Sequence, residues 1–352
     1  MQGWKCVTIE SLNDPILLDG KMGGGSVIRV GVPLALSQKR PIKIVNVRIN
    51  RPRVGLQVQH IAGLSMLSKL TGCRLNGVEI GSTDIIVEPN RSVYTNSLPK
   101  IQIPSSAAVS LVVQTLTNFV IASKNPMGFE FSGGGSHVNF SPNFDILINV
   151  NIPLFKLFGL NLSVQLLKPG FYPKGASLGK IYAKQLEHKL VNIEKGDQQE
   201  LQLISVASTQ SQLTKVAEKQ IDGFKSIIPD VTNQFAGYAN SVSNGSSLSA
   251  IIKSNNGSIK GIARIGDDRI NPFELGRRTA KATLRELNQL GGVDEQIADQ
   301  LLVSLAFAPK GSSYTFENIF PHVKTNYNVI SQILGQVLEI TKEDGYYKVS
   351  KI

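Results

Sequence analysis

Strand-like and helix-like segments alternate along the chain, and this alternation is the feature that most restricts its fold. The stretch PIKIVNVRI alternates polar and apolar residues like a half-buried strand. HIAGLSMLSKLTG follows it with apolar residues at helical spacing, and Gly72 is placed to end that helix. Two short strand patterns about a turn come next, in RLNGVEIGSTDIIVEP, before a second apolar helix in SSAAVSLVVQTLTNFVIAS. The order predicts repeated small α/β units in which helices pack on sheets.

The character of the sequence changes between about residues 184 and 269. The stretch ANSVSNGSSLSAIIKSNNGSIKG is rich in Ser, Asn and Gly, a composition typical of loops and hairpins. Residues 248–252 and 259–265 nevertheless carry strand patterns, and SVASTQSQLTKVAEKQIDGFK predicts a strand and a polar helix. We therefore expect a small α/β domain, residues 184–269, inserted into a large domain built from residues 1–183 and 270–352.

Two helices are predicted after the insert. The first covers LGRRTAKATLRELNQLGG and is amphipathic, with Gly291 placed to end it. The second covers VDEQIADQLLVSLAFA, with Asp294 as its N-cap. In one continuous helix, Gln296, Asp299 and Gln300 share a flank and the apolar residues share another. One flank is therefore free to pack on protein while the other faces a ligand.

The charge balance favours a polyanionic partner. Lys and Arg number 37 against 26 Asp and Glu, giving a formal net charge of +11, and nucleic acid is the commonest partner of so basic a chain. A basic surface that serves only solubility is the alternative. The two cysteines, Cys6 and Cys73, argue against a disulfide framework or a structural zinc site and suit a reducing compartment. With no signal-peptide core and no long apolar stretch, an intracellular protein without a membrane partner is expected.

One stretch, VRINRPRVGLQVQH, has the composition of a phosphate-binding site. It places Arg48, Arg51 and Arg53 at the end of a strand, and Gln59 and His60 where a helix begins. Cations beside the free backbone N–H groups of a helix N-terminus bind phosphate well. From these residues alone, a solvated basic loop explains the pattern equally well.

Seven stretches of the chain occur in the same order as the motifs of one known family. They are LDGKMGGGSVIR, VRINRPRVGLQVQH, VEIGSTDIIVEP, SGGGSHVNFSPNFD, GFYPKG, VDEQIADQLLVSLAFA and PHVKTNYNVISQIL. Together they resemble the RNA 3'-terminal phosphate cyclase family over most of the chain outside the insert. The resemblance implies an α/β (α+β) fold, in which three repeated βαβαββ-type units form a large domain that carries a smaller inserted α/β domain.

The resemblance also implies a reaction. It is the ATP-dependent conversion of an RNA 3'-terminal phosphate to a 2',3'-cyclic phosphodiester, through a covalent histidine–AMP and an RNA-ppA intermediate. His322 matches the family's nucleophilic histidine, with Thr325 and Asn326 at the expected offsets. A neutral imidazole is able to attack the α-phosphate of ATP near pH 7. A lone histidine is more often structural, and it is the ordered motifs that favour the nucleophile.

Cofactors, partners and further site residues follow from the same resemblance. ATP and a divalent metal (Mg or Mn) are the implied cofactors, and RNA with a 3'-phosphate end is the implied partner, in the nucleus if the source is eukaryotic and otherwise in the cytoplasm. His60 is expected to cap or pack a helix, and His188 to lie on the surface. The nucleotide-binding positions carried over are Arg29, Gln59, Pro142, Asp299 and Gln300, and the phosphate-binding positions are Arg48, Arg51 and Arg53.

Three positions depart from the family pattern. Met22 stands where a metal-binding glutamate is usual, and a thioether is a poor ligand for a hard cation. Gln296 replaces a tyrosine associated with the adenine, and Ala176-Ser177 replaces two glycines. The metal ligands are therefore unassigned. Two alternatives stay open: a catalytically inactive cyclase-like RNA-binding factor in rRNA processing and ribosome biogenesis, and an unrelated transferase for a small anionic substrate.

Overall fold

The computed structural model describes residues 14–90, 98–197, 199–266 and 269–352. Cys6 lies outside the described residues, whereas Cys73 is a buried free thiol. In the part of the chain that is described, every helix is too short or too polar to cross a membrane.

The first structural unit is a four-stranded sheet with two helices. Strands β1 and β2 are parallel, and the last two strands complete the sheet antiparallel in the order β1-β2-β4-β3. A left-handed Gly72 ends the second helix, as the sequence predicts. The elements are β1 (Ile16–Asp19), α1 (Gly25–Ser37), β2 (Ile42–Val45), α2 (Val58–Thr71), β3 (Arg74–Asn76) and β4 (Ile85–Glu88).

The second unit repeats this plan. Its sheet has the order β5-β6-β8-β7, again with one parallel pair followed by antiparallel pairing. A π-helical turn, Leu147–Asn151, joins its two short helices. The elements are β5 (Lys100–Ala108), α3 (Val109–Ser123), β6 (Met127–Gly135), α4 (Phe144–Ile146), α5 (Ile152–Leu157), β7 (Leu160–Lys168) and β8 (Leu178–Gln185).

The inserted domain follows a short strand, β9 (Asn192–Ile193), and has its own four-stranded sheet in the order β11-β10-β12-β13. A separate hydrophobic cluster holds the domain together and includes Phe224 and Leu248. Two helices pack on each other beside this sheet. The elements are β10 (Gln199–Ser208), α6 (Val216–Lys225), β11 (Asn233–Ala239), β12 (Ser246–Ser254), β13 (Ile259–Gly266) and α7 (Pro272–Asn288).

The third unit closes around the insert. Strand β9 pairs parallel to β14, and the sheet order β9-β14-β16-β15 repeats that of the first two units. The three predicted βαβαββ units are therefore confirmed, with the insert between the first strand and first helix of the third. The remaining elements are α8 (Glu295–Ala298), α9 (Leu302–Phe307), β14 (Ser313–Phe316), α10 (Pro321–Leu334), β15 (Leu338–Lys342) and β16 (Tyr347–Lys351).

The predicted domain limits at residues 184 and 269 stay a prediction. Two packing facts bear on them. Strand β9 belongs to the third sheet of the large domain, and Leu275 and Ala280 of α7 belong to the hydrophobic cluster of the insert. The packing unit of the insert thus continues past residue 269 into α7.

Helix α1 lies at the centre of the large domain. It packs against α3 of the second unit and α10 of the third, and almost all of its residues are buried. A helix that is apolar on nearly every side must be surrounded by protein, which explains the run SVIRVGVPLAL. This packing fixes the N-terminus of α1 beside elements from all three units.

The helix predicted over VDEQIADQLLVSLAFA is interrupted, so the prediction of one continuous helix is wrong. Asp294 caps α8, as predicted, by accepting from the backbone N–H of Gln296 and Ile297. The helix then breaks before α9, because tertiary bonds engage the carbonyls that a continuous helix would use. Tyr314 donates to the carbonyl of Ala298 at 2.6 Å, and an asparagine of α10 donates to the next carbonyl.

Two further element boundaries differ from the sequence prediction. Residues 105–108, predicted to begin the second apolar helix, form the end of β5. Helix α7 ends at Asn288 with Gln289 as its C-cap and does not reach Gly291. Gly291 instead lies against the backbone of β14, where a Cβ would come within 2.5 Å of the Cα of Phe316.

Replacing Phe224, which is fully buried in the insert, should destabilise that domain. We expect Phe224→Ala to lower the free energy of unfolding by about 3–5 kcal/mol, because it removes apolar contacts and leaves a cavity. Urea denaturation followed by circular dichroism measures the change. Phe235→Ala is the matched control, since Phe235 is 57% exposed in the same domain. Equal losses in the two variants would contradict the packing described.

Candidate active site

The N-terminus of α1 lies open between several long side chains. Gly24 is its N-cap, has a φ of 61°, and makes no side-chain capping bond. A Cβ at Gly24 would lie 3.3 Å from Nε of Arg51 and 3.7 Å from Nη1 of Arg48. At Gly25 a Cβ would lie 2.2 Å from Nε2 of His60. Glycine thus lets these side chains approach backbone N–H groups that point outward, an arrangement suited to phosphate.

Arg29, in the second turn of α1, is anchored by the second unit. Its Nε donates to Oε1 of Gln114 at 2.7 Å, and its carbonyl accepts from Asn118. A Cβ at Gly25 would lie 2.9 Å from Nη1 of Arg29, so this guanidinium reaches the same glycine turn. Burial lowers the pKa of Arg29 to about 10, although Asp299 opposes the shift. Arg29 therefore remains a cation at neutral pH.

The loop after β2 supplies the other cations. Arg48 has a φ of 56°, and its Nη2 donates to the carbonyl of Arg53 at 3.2 Å. Its Nε is buried and has no hydrogen-bond partner among the described residues. Burial lowers the pKa of Arg48, and neighbouring Arg51 lowers it further. The guanidinium groups of Arg51 and Arg53 are exposed, so the loop presents unneutralised charge to solvent.

His60 is a neutral donor aimed at the glycine turn. Its Nδ1 accepts from the backbone N–H of Gln57 at 3.0 Å, which caps α2 as the sequence predicts. The proton of the neutral ring is therefore on Nε2, the atom nearest Gly25. Burial, followed by Arg29 and Arg48, lowers the pKa of His60 to about 3.

His322 occupies the first turn of α10, directly after Pro321, and its side chain is exposed. Thr325 packs this turn against the glycines, because a Cβ at Gly23 would lie 2.1 Å from its Cγ2. Its Oγ1 also donates to the carbonyl of Pro321 within the turn. Partial desolvation lowers the pKa of His322, and the charges of Arg29 and Arg51 lower it further. The structure thus provides an accessible, neutral imidazole beside a cationic cluster.

Asp299 contributes a carboxylate that interacts with Arg29 through charge, from the break between α8 and α9. Nδ2 of Asn326 donates to its carbonyl at 3.0 Å and to its Oδ2 at 3.2 Å. Burial raises the pKa of Asp299 to about 7, although Arg29 lowers it. Because Arg29 and Asp299 interact through charge, the segment held by Asn326 sets the electrostatic surroundings of Arg29.

The remaining predicted nucleotide positions lie beside the cluster or face other partners. Gln59 is half-buried at the second residue of α2, next to His60. Gln300 accepts from Asn151 at 2.9 Å and donates to the carbonyl of Gln296, so its amide joins α8 to the second unit. Pro142 is buried in the loop before α4. The structure therefore gathers Arg29, Arg48, Arg51, His60, Asp299 and His322 at one helix terminus.

The two other histidines have structural partners. His137 is buried, with Nε2 3.5 Å from Oδ2 of Asp145. His188 was expected on the surface, but it is only partly exposed, and its ring stacks on Phe307 at 6.2 Å. The apolar body of the ring accounts for this placement. Ser177, one of the departures from the family pattern, donates to the carbonyls of Gly133 and Gly134 and so braces the glycines of β6.

A preformed metal site is not evident in the described parts of the chain. No group of three or more His, Cys, Asp or Glu side chains comes together there. Asp19, next to the position of the missing glutamate, accepts from the backbone N–H of Lys21 and from Asn46, and so caps a short 3-10 helix. The residues that the structure describes do not form a carboxylate cage for Mg²⁺ or Mn²⁺, and the implied metal stays a prediction.

Sequence reasoning missed the anchors of Arg29. Gln114 and Asn118 are polar, four residues apart and buried in the otherwise apolar α3. Buried amides at helical spacing indicate a polar partner across the interface, because an unpaired buried amide is costly. This signal is present in the sequence, although the identity of the partner is not.

Comparisons with known proteins place this chain in one family. The family model described as RNA 3'-terminal phosphate cyclase matches residues 20–340. The RNA 3'-terminal phosphate cyclase of Thermococcus onnurineus is 29% identical over 347 residues, covering 94% of this chain and 96% of the relative. Those of Pyrococcus furiosus and Archaeoglobus fulgidus are 27% and 28% identical, covering 92% of this chain and 95% and 97% of the relatives. The chain belongs to the RNA 3'-terminal phosphate cyclase family.

The buried imidazole of His60 should make stability depend on pH. The folded pKa lies near 3, below the ordinary 6.5, so the unfolded chain binds a proton that the folded chain does not, and stability falls as pH falls through this range. His60→Gln keeps a capping residue at this position of the helix and removes the titration. Between about pH 6 and 4 we expect wild type to lose about 1.4 kcal/mol per pH unit relative to the variant. The free energy of unfolding of each protein is measured by urea denaturation at several pH values. The same pH dependence in wild type and variant would contradict the lowered pKa of His60.

Proposed function

We propose that this protein converts an RNA 3'-terminal phosphate to a 2',3'-cyclic phosphodiester at the expense of ATP, with His322 as the carrier of AMP. One observation carries the proposal: the exposed imidazole of His322 adjoins the uncapped N-terminus of α1 and the cations Arg29 and Arg51. The names of the relatives support a cyclase reaction. Membership of the family supplies the substrate class, and the site supplies the chemistry.

In the first step, a ring nitrogen of neutral His322 attacks the α-phosphorus of ATP. An N–P bond forms, the bond from the α-phosphorus to the bridging oxygen breaks, pyrophosphate leaves, and the ring loses its other N–H proton to solvent. The lowered pKa keeps the imidazole neutral at pH 7, which this attack requires. Positive charge at Arg29, Arg48 and Arg51 stabilises the negative charge that develops on the phosphates.

In the second step, an oxygen of the RNA 3'-phosphate attacks the same phosphorus. The ring takes a proton back from solvent, the N–P bond breaks, neutral His322 is released, and a pyrophosphate linkage joins the RNA end to AMP. The neighbouring 2'-OH then attacks the 3'-phosphorus, loses its proton and displaces AMP, which leaves the cyclic phosphodiester. Each step is a displacement at phosphorus, so positioning and charge account for most of the catalysis.

The roles of the other predicted residues are part of this proposal. Gln59 lies beside His60 at the start of α2 and is placed to bind phosphate oxygens through its amide. Pro142 and Gln300 border the adenine, with Gln300 acting through the segment that it ties to Asn151. Asp299 orients Arg29 by charge. ATP brings its own divalent ion in this proposal, as nucleotide phosphates commonly do.

Covalent labelling tests the nucleophile. Wild type incubated with α-³²P-labelled ATP and Mg²⁺ or Mn²⁺ should retain label on a denaturing gel, and His322→Ala should retain none, because its side chain cannot form the N–P bond. His188→Ala is the matched control, since it removes a histidine that stacks on Phe307 away from the cluster, and it should label as wild type does. Labelling of His322→Ala at the wild-type level would refute the proposal.

The same assay separates the proposal from a catalytically inactive RNA-binding factor. That alternative draws on the absence of a carboxylate cage among the described residues and on Met22 at the usual glutamate position. It expects salt-sensitive association with RNA in a wild-type protein that never takes up label. A labelled wild type excludes it.

Arg51 should contribute to binding of the RNA end. Its guanidinium is exposed above Gly24, so Arg51→Ala should weaken binding of 3'-phosphate RNA several-fold and flatten the plot of log affinity against log salt by about 0.7, the value for one contact to a single strand. Fluorescence anisotropy at several salt concentrations measures both. Arg74→Ala is the control, because Arg74 is an exposed arginine of the same unit paired with Glu88. If Arg51→Ala has the same salt slope as wild type, Arg51 does not contact a phosphate of the RNA.

A further inference from the structure

A second cleft lies on the helix that carries His322. It has a volume of about 350 Å³ and is formed between α10 and the β15–β16 hairpin. Its walls include Lys324, Tyr327 and Asn328 of α10, together with Lys342 and Tyr347 of the hairpin. The volume falls within the range of small-molecule sites, from about 300 to 1,000 Å³.

The cleft and the candidate active site use opposite faces of α10. His322, Thr325 and Asn326 share one face of α10 by their spacing of three and four residues. On this face Thr325 lies against Gly23 and Asn326 donates to Asp299. Lys324, Tyr327 and Asn328 have the same spacing but are displaced by about half a turn. Because a helix with its side chains is about 10–12 Å across, a ligand in the cleft lies one helix width from His322.

Charge in the cleft is of one sign. Lys324 and Lys342 are exposed and make no ion pair with any carboxylate of the described chain, and the residues that line the cleft include neither Asp nor Glu. Two unpaired ammonium groups beside a concave wall favour an anion, and phosphate is the anion that Lys binds most often in nucleic-acid sites.

The two tyrosines form half-buried walls with fixed rings. The hydroxyl of Tyr327 donates to the carbonyl of Leu338 at 3.2 Å and accepts from Gln336. The ring of Tyr347 stacks on Phe316, with centroids 5.9 Å apart and an interplanar angle of 17°. A rigid aromatic wall loses little entropy when a nucleobase stacks on it, and such stacking tolerates any base.

We propose that this cleft binds a nucleotide of the RNA strand upstream of its 3'-phosphate, with the phosphate between Lys324 and Lys342 and the base against the tyrosine walls. The inference rests on the proposed function, because it assigns the cleft to the strand whose end reacts at His322. Binding there adds affinity without reading sequence, since lysine–phosphate contact and stacking do not distinguish bases.

The test compares a 3'-phosphorylated dinucleotide with a longer single-stranded RNA, by fluorescence anisotropy with the full chain. The double variant Lys324→Glu/Lys342→Glu should bind the longer strand at least tenfold more weakly than wild type, with a salt slope lower by about 0.7 for the one phosphate that is no longer neutralised. It should bind the dinucleotide as wild type does. Lys348→Glu is the matched control, because Lys348 follows Tyr347 on β16 but approaches Glu194, and it should lose far less affinity for the longer strand.

A second variant tests the aromatic wall. Tyr347→Leu removes the stacking surface without changing charge, and it should lower affinity for the longer strand about tenfold while the salt slope stays as in wild type. If Tyr347→Leu unfolds because of its packing on Phe316, the lysine variants still decide the question, since their side chains are exposed.

The outcomes are distinguishable from failure of the proposed function. Covalent labelling from ATP should persist in the lysine double variant, because the cleft is not part of the adenylation site. A wild-type protein that takes up no label would contradict the proposed reaction but would say nothing about the cleft. Equal weakening of both RNA lengths, or equal effects of the double variant and Lys348→Glu, overturns the cleft assignment. Weakened binding of free AMP or ATP, without a length-dependent loss for RNA, assigns the cleft to a free nucleotide and likewise overturns it.

Discussion

Positive charge gathered at the N-terminus of one buried helix is the constraint on which the site depends. Burial lowers the pKa of both Arg29 and Arg48, and the charges of Arg48 and Arg51, respectively, lower them further. All three arginines adjoin a helix terminus that is itself positive. Asp299 compensates only in part, because burial brings its own pKa to about 7. The packing of α1 between the units holds these mutually repelling charges together, and a bound polyanion would reduce their repulsion. This concentration of positive charge is the electrostatic basis of the phosphate binding that we propose.

The three repeated units explain how one framework brings these groups together. In each unit the loop after the second strand leads into a helix, and the second residue of that helix is Gln59 in the first unit, Asp145 in the second and His322 in the third. The first unit adds arginines in that loop, and the third adds the imidazole. In the second unit, Asp145 instead pairs with His137 and accepts from Ser249 of the insert. Of the three topologically equivalent positions, Asp145 contacts the insert, whereas Gln59 and His322 are the residues for which we propose phosphate binding and nucleophilic attack.

Local signals in the sequence were sufficient for the repeats, the strands of the insert, the Asp294 cap and the stop at Gly72, because spacing and capping chemistry act within a few residues. They were insufficient where a distant side chain decides the outcome. Tyr314 and Asn326 interrupt the helix around Asp299 by engaging its carbonyls, and neither residue is near it in sequence. Asn151, about 150 residues away in sequence, donates to the side-chain amide of Gln300. The resemblance located the site residues along the chain, whereas their mutual contacts needed the fold.

The insert is joined to the site through one buried carboxylate. Oδ1 of Asp294 caps α8, the helix that leads to Asp299, while Oδ2 accepts from the backbone N–H of Gly261 in β13 at 2.9 Å. Lys260, the next residue along that strand, lies 3.5 Å from Glu286 of α7. Burial, with the charge of Asp294, raises the pKa of Glu286 to about 7, which indicates how closely these groups are packed. Both oxygens of Asp294 are engaged, so this one side chain connects the sheet of the insert to the start of α8. The position of Asp299 beside Arg29 is therefore a property of both domains.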